Sequence, residues 1–165
     1  MLKAIVMGVA GSGKSSVGLA VAEQLGAVYL DGDDLHPQSN IDKMAAGQPL
    51  QDDDRAPWLD KVGDVLANAA VPTLIGCSAL KRSYRDRIRQ ACPRVVCAHL
   101  VGARSVIEAR MAARTGHFMP VSLLDSQFAT LQPLEPDEAG VAVDIAQDLD
   151  AVVAELVARL TAQHL

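Results

Sequence analysis

Aromatic side chains are almost missing from this chain: two Phe, two Tyr and one Trp make up 3% of 165 residues, although 50% of the chain is hydrophobic. Its interior must be filled by Ala, Val, Leu and Ile. That suits a parallel sheet covered on both faces, whose strands read as unbroken aliphatic runs. Cysteine is scarce too. Cys77, Cys92 and Cys97 are an odd number without C-x-x-C spacing, which points to free thiols and away from a zinc site or disulfide framework. Positive charge is in deficit, with 15 Lys and Arg against 20 Asp and Glu and a net charge of −5. This excludes a nucleic-acid coat or an anionic membrane surface as partner, while a local basic cleft for a small anion stays compatible. No apolar run approaches a membrane span, and Met1-Leu2-Lys3 leads directly into the first apolar segment, so the chain reads as cytoplasmic.

Repeats, low-complexity blocks and long linkers are also lacking, and residues 1–165 read as one domain large enough to bury a sizeable core. What is present is alternation. Strands are predicted near 3–7, 27–30, 73–78, 95–101 and 141–145, with helices near 14–25, 36–46, 55–69, 80–90, 103–114, 121–130 and 148–163. Trp58, Val62, Val65, Leu66 and Ala69 form one apolar stripe, which assigns Trp58 to the core. The expectation is an α/β fold: a five-stranded parallel sheet with helices on both faces and ligands at the carboxyl ends of the strands.

The most informative stretch is Gly8-Val9-Ala10-Gly11-Ser12-Gly13-Lys14-Ser15. It matches the phosphate-binding pattern G-x-x-x-x-G-K-[ST], with a strand before it and a helix after it. Glycines let backbone N–H groups close on a phosphate, and the helix adds its unpaired N-terminal donors. Gly8, Ala10, Gly11, Ser12, Gly13, Lys14, Ser15 and Ser16 are therefore the nucleotide candidates. Lys14 carries charge to the outer phosphates, and the Ser15 hydroxyl is a hard ligand for Mg²⁺. The ligand is a nucleoside triphosphate.

The second strand runs into Asp31-Gly32-Asp33-Asp34-Leu35-His36-Pro37. Carboxylates at a strand end beside a phosphate loop are placed to serve a phosphoryl acceptor. Asp31 is assigned to the Mg²⁺ shell through water and Asp33 to the acceptor hydroxyl; Asp34 reads as a helix cap. Gly47 reads as a helix C-cap and Asp54 as the cap of the next helix, with Arg55 divided between a substrate contact and a surface ion pair. Many phosphate-loop proteins carry a magnesium-binding Asp at the end of the third strand. Here that end reads Cys77-Ser78, which makes Asp31 the more necessary.

Three blocks, GVAGSGKSS, LDGDDLHPQSNIDKMAAGQPLQDDDRAPWL and CSALKRSYRDRIR, closely resemble the gluconate kinases, small ATP-dependent sugar-acid kinases of the shikimate-kinase and nucleoside-monophosphate-kinase type. The likeness runs from about residue 4 to about residue 145. It implies transfer of the ATP γ-phosphoryl group to the 6-hydroxyl of D-gluconate, with Mg²⁺, in a homodimer. It implies that Ser78, Lys81 and Arg85 meet the sugar acid, together with Asp33, His36, Asn40, Lys43 and Arg55 from the second block. Arg82, Arg87 and Arg89 read as surface residues. A small helical lid is implied over about residues 111–125, with Arg110 against the nucleotide and Arg114 reaching the phosphates as a catalytic residue. The loop after the last strand would pass the adenine ring.

Overall fold

In the computed structural model, residues 1–113 and 121–163 are described. The strands β1 (Lys3–Met7), β2 (Val28–Asp31), β3 (Thr73–Gly76), β4 (Val96–Val101) and β5 (Gly140–Asp144) pair in parallel in the order β2-β3-β1-β4-β5. The helices are α1 (Lys14–Leu25), α2 (Gln38–Ala45), α3 (Asp52–Ala67), α4 (Arg82–Ala91), α5 (Arg104–Ala112), α6 (Val121–Thr130) and α7 (Leu149–Gln163). The expected five-stranded parallel sheet with helices on both faces is what the chain forms.

Period-two alternation divides the core. Ala4 and Val6 of β1, with Ala98 and Leu100 of β4, face α1 and α7 through Val17, Val21, Val153 and Leu156. Ile5, Met7 and Ile75 face α3 and α4 through Leu59, Val62, Leu66 and Ile88. Because β1 is covered on both sides it needs no polar face, hence its aliphatic run. The register aligns Val6 with Gly76 and Gly76 with Asp31, so β1, β2 and β3 end together at one edge. Cys77, Cys92 and Cys97 are free, as their number and spacing indicate, and all three are buried.

Two boundaries differ from the sequence expectation for local reasons. The helix predicted from 36 starts at Gln38, because Pro37 stays extended after a 3-10 turn at Gly32–Leu35. The helix expected from 55 starts at Asp52, with Gln51 as N-cap. Asp54, expected to be the cap, instead accepts the Gln51 N–H from the third helical position in a reciprocal capping box. Asp52, Asp53 and Asp54 all fall in the first turn, where carboxylates oppose the positive end of the helix. Gly47, with φ +75°, takes the left-handed position just past α2.

Gly76 is held to hydrogen by a neighbour. A Cβ there would stand 2.1 Å from the Tyr29 hydroxyl and 3.1 Å from the ring carbon that bears it. Gly76→Ala should therefore cost about 1–3 kcal/mol through overpacking. Denaturant melts of the single and double variants check this: Gly76→Ala with Tyr29→Phe should recover part of the loss, and purely additive losses would exclude the clash as its cause.

Candidate active site

The phosphate loop is the turn between β1 and α1. Gly13 is the N-cap of α1 at φ 91° with no side-chain cap, so the first helical N–H groups are left to a ligand. The loop is braced from within and from outside. Ser12 N–H donates to Val9 O, Gly8 N–H to Ser78 O, and Ala10 N–H to Gln127 Oε1 at 2.6 Å. Lys14 folds back, its Nζ donating to Gly8 O at 3.0 Å and Val9 O at 3.1 Å. Burial lowers its pKa, with Cys77, Asp33 and Asp31 acting the other way. Ser15 and Ser16 are exposed at the start of α1.

Beyond β2, Asp31 Oδ1 accepts the Asp33 N–H at 2.9 Å, and the Trp58 indole N–H donates to Gly32 O at 2.8 Å. These bonds hold the 3-10 turn against α3 with Asp33 facing Lys14. Partial desolvation, then the Asp31 carboxylate, raises the Asp33 pKa, while His36 and Lys14 oppose the rise. His36 stacks on Trp58, with centroids 4.2 Å apart and planes at 15°. One amide hydrogen of the buried Asn40 goes to Asp54 O at 2.8 Å, and the same nitrogen lies 3.1 Å from His36 Nδ1. A carbonyl can only accept, so the NH₂ end of Asn40 is fixed and Nδ1 must be an acceptor. His36 is therefore neutral, with its hydrogen on Nε2. Burial and Arg55 lower its pKa against the pull of Asp33.

A cavity of about 290 Å³ opens between these groups, walled by Asp33, His36, Arg55 and Ser78 among others. At its mouth Asp52 gathers the cations. Tyr84 Oη donates to Asp52 Oδ1 at 2.6 Å, and Lys81 Nζ to Asp52 Oδ2 at 3.4 Å. The Arg55 guanidinium lies 3.7 Å from the same carboxylate. On the far side of the loop, Arg110 Nη2 donates to Ile145 O and Gln147 O. Its guanidinium passes 3.7 Å from where a Cβ on Gly13 would stand, beside a groove lined by Val106, Ala109 and Ala146. The phosphate loop thus has the acidic turn and the Arg55-containing cavity on one side and the groove beside Arg110 on the other. Arg114 and His117 lie outside the described residues, as does the stretch 114–120 of the expected lid.

One expected substrate contact, Arg85, is corrected, and two others, Lys43 and Asn40, are found in intramolecular bonds. Arg85 is buried, whereas Lys81, the N-cap of α4, is partly exposed. Its Nε and Nη2 donate to Glu138 at 2.7 and 2.9 Å and its Nη1 to Ala79 O, with both side chains wholly buried. Lys43 is engaged by Asp54 at 2.8 Å, tying α2 to α3. Asn40 spends its amide on Asp54 O and His36, so it acts on the cavity through the imidazole. Conversely, Tyr84 and the face of α6 formed by Leu123, Ser126, Gln127 and Thr130 line the cavity, and the sequence reading passed over them. Their spacing of three, one and three residues was the available sign. Trp58 is core, as expected, and is also the stacking surface for His36. The surface reading holds for Arg82, paired with Asp137, and Arg87, paired with Asp60; Arg89 is half-buried and joins Asp86 and Glu138.

Comparison with known proteins places this geometry. The AAA domain family matches residues 4–134. The thermoresistant gluconokinase of Escherichia coli (strain K12) is 49% identical over 157 residues, covering 93% of this chain and 90% of that one. The crystal structure of a gluconokinase from Sinorhizobium meliloti 1021 is similar with a TM-score of 0.89 and 50% identity, over 98% of this chain and 92% of that one. Shikimate kinase from Aquifex aeolicus vf5, at 13% identity and a TM-score of 0.64 over 98% of this chain and 97% of that one, shares the fold alone.

Breaking the buried pair should be costly, since it strands a charge: Glu138→Leu is expected to lose about 3–5 kcal/mol of stability. The pH dependence has a definite sign. Arg85, by hydrogen bonding, pulls the Glu138 pKa from 4.5 to about 2, so its contribution is complete above pH 4.5 and disappears as pH falls toward 2. Burial, with Arg85 nearby, pushes buried His99 from 6.5 to about 4, so its contribution declines as pH falls from 6.5 toward 4. Denaturant melts between pH 7 and 2 should show both losses in the parent, and in Glu138→Leu the upper one with a smaller loss below pH 4.5.

Proposed function

Because the chain belongs to the AAA domain family of phosphate-loop proteins and, within it, to the gluconokinases, we propose that it transfers the γ-phosphoryl group of ATP to the 6-hydroxyl of D-gluconate through the residues assembled at this sheet edge. The observation that carries the reading is the cavity that places Asp33, Arg55 and Ser78 directly beyond the phosphate loop. The α1 N-terminus and Lys14 hold the phosphates, Lys14 exchanging two neutral carbonyls for charged oxygens. Arg110 and the loop after β5 bracket the groove that takes the base.

The acceptor side follows from charge. A sugar acid brings one carboxylate and several hydroxyls, and the mouth offers Arg55 and Lys81 already converging on a carboxylate, that of Asp52. The substrate carboxylate joins or replaces Asp52 there, and the hydroxyl chain runs inward past Ser78 and the His36 Nε2–H. Asp33 receives the 6-hydroxyl hydrogen as the oxygen–phosphorus bond forms and the bond to the β-phosphate oxygen breaks.

Magnesium fits what is here. Asp31 has one carboxylate oxygen occupied by the Asp33 N–H and is exposed, and the Ser15 hydroxyl is exposed beside it. No three metal-ligating side chains cluster among the described residues, as suits an ion held mainly by phosphates and water. Ser15 would hold the ion directly and Asp31 through water; when bound it offsets charge on the β- and γ-phosphate oxygens. A homodimer and a cytoplasmic location complete the reading. No described helix is long and apolar enough to cross a membrane.

The test is ADP release from Mg-ATP with D-gluconate, shikimate, AMP or no acceptor in parallel. Turnover that depends on gluconate, at roughly 1–100 s⁻¹, is expected; no stimulation by gluconate overturns the reading. Asp33→Asn should lower kcat by about 10²–10⁴-fold with the KM for ATP little changed. Since the Asp33 pKa is raised, kcat should fall on acidification from a pH above the ordinary carboxylate range, and the variant should lack that limb.

A further inference from the structure

Gln127 stands where the two halves of the site meet, and neither its sequence context nor the family likeness gave it a role. It lies on α6, immediately after the expected lid, and is half-buried. Its side chain touches the phosphate loop, 117 residues away in sequence, through the 2.6 Å bond from Ala10 N–H to Oε1. A backbone N–H can only donate, so this bond fixes the amide orientation: the oxygen faces the loop and the NH₂ group faces away. Gln127 also lines the cavity that contains Asp33 and Ser78. Nε2 has no hydrogen-bond partner among the described residues.

The remainder of α6 is firmly held on the acceptor side. Just past its end, Gln132 N–H donates to Leu80 O at 2.7 Å, and Gln132 Oε1 accepts the Arg82 N–H at 2.8 Å. The helix is therefore fastened to the β3–α4 connection, which forms the cavity wall, and through Gln127 to the loop. A carboxamide in this position can grip both subsites at once, its oxygen on the loop and its two N–H donors on oxygen atoms between the loop and Asp33. Being neutral, it adds donors there without adding charge that would repel phosphate.

We propose that Gln127 is a further catalytic residue, whose NH₂ group donates to the transferring phosphoryl oxygens while its carbonyl registers α6 on the phosphate loop. It makes and breaks no covalent bond. Its contribution is to hold donor groups where negative charge gathers in the transition state, so it bears on kcat more than on nucleotide binding. This rests on the kinase reading above.

Two variants of the full chain separate the roles. Gln127→Met keeps length and bulk but offers no amide. Gln127→Glu keeps an oxygen for the Ala10 N–H but removes the NH₂ donors. Gluconate-dependent ADP formation, ADP affinity and melting temperature are measured for both and for the parent. The expected result is a loss of about 10²-fold or more in kcat for each. Gln127→Glu should keep the parental melting temperature, and both should bind ADP within about threefold of the parent. A Gln127→Met enzyme with kcat within about threefold of the parent would overturn the proposal. So would variants altered only in the KM for ATP or in melting temperature, which would make Gln127 a strut. A parent with no gluconate-dependent turnover would remove the kinase reading itself, and this inference with it.

Discussion

Everything at the working edge follows from one constraint: the backbone donors at the start of α1 must reach the surface without protein partners. A helix normally has its first N–H groups capped by a side chain. Here the N-cap is Gly13 in a left-handed conformation, which has no side chain to offer. The cost of leaving donors open is limited because the rest of the loop is tied down, by Ser78 O at one end, by Gln127 in the middle and by Lys14 folding over the Gly8 and Val9 carbonyls. The sheet register then brings the end of β2 alongside, so the acidic turn meets the loop without a long connecting segment.

The same residue type serves opposite ends nearby. Arg55 and Lys81 are partly exposed and share one carboxylate, Asp52, whose own side chain is well exposed. Such pairs are weak in water, so an incoming anion can compete for the cations. Arg85 follows Lys81 by four residues yet has all its donors used inside the protein, on Glu138 and on backbone carbonyls. A pair of that kind is not available for exchange. It binds the segment after α6 to α4 and thereby fixes the wall of the cavity, while the exposed pair leaves its contents exchangeable.

What could be read from sequence divides along that line. The strand–loop–helix around Lys14, the carboxylates after β2 and the free state of the three thiols were legible because their signals are local: a contiguous motif, a strand end, a count of cysteines. Arg85 was misread because its partner is distant, and the tethers of Asn40 and Lys43 were hidden for the same reason. Glu138 lies 53 residues beyond Arg85, Asp54 lies 11 beyond Lys43, and the carbonyl that Asn40 meets lies 14 away. No periodicity encodes such a meeting. The His36 tautomer was beyond reach for the same reason, since it depends on which end of the Asn40 amide is committed elsewhere.

Gln127 extends this lesson from structure to chemistry. Its face of α6 looks unremarkable as a pattern, with Leu123, Ser126 and Thr130 beside it, and the helix carries no charged residue besides Asp125. Only the fold reveals that this face closes the cavity opposite Asp33. The phosphate loop is shared by proteins that use phosphate in very different ways, so it cannot by itself decide what receives the phosphoryl group. On the proposed reading that decision belongs to side chains beyond the loop: Asp33 from the turn after β2, Arg55 and Trp58 from α3, Ser78 after β3, and the cavity-lining face of α6. These come from four separate parts of the chain, and specificity in this fold is therefore a property of the sheet edge that gathers them.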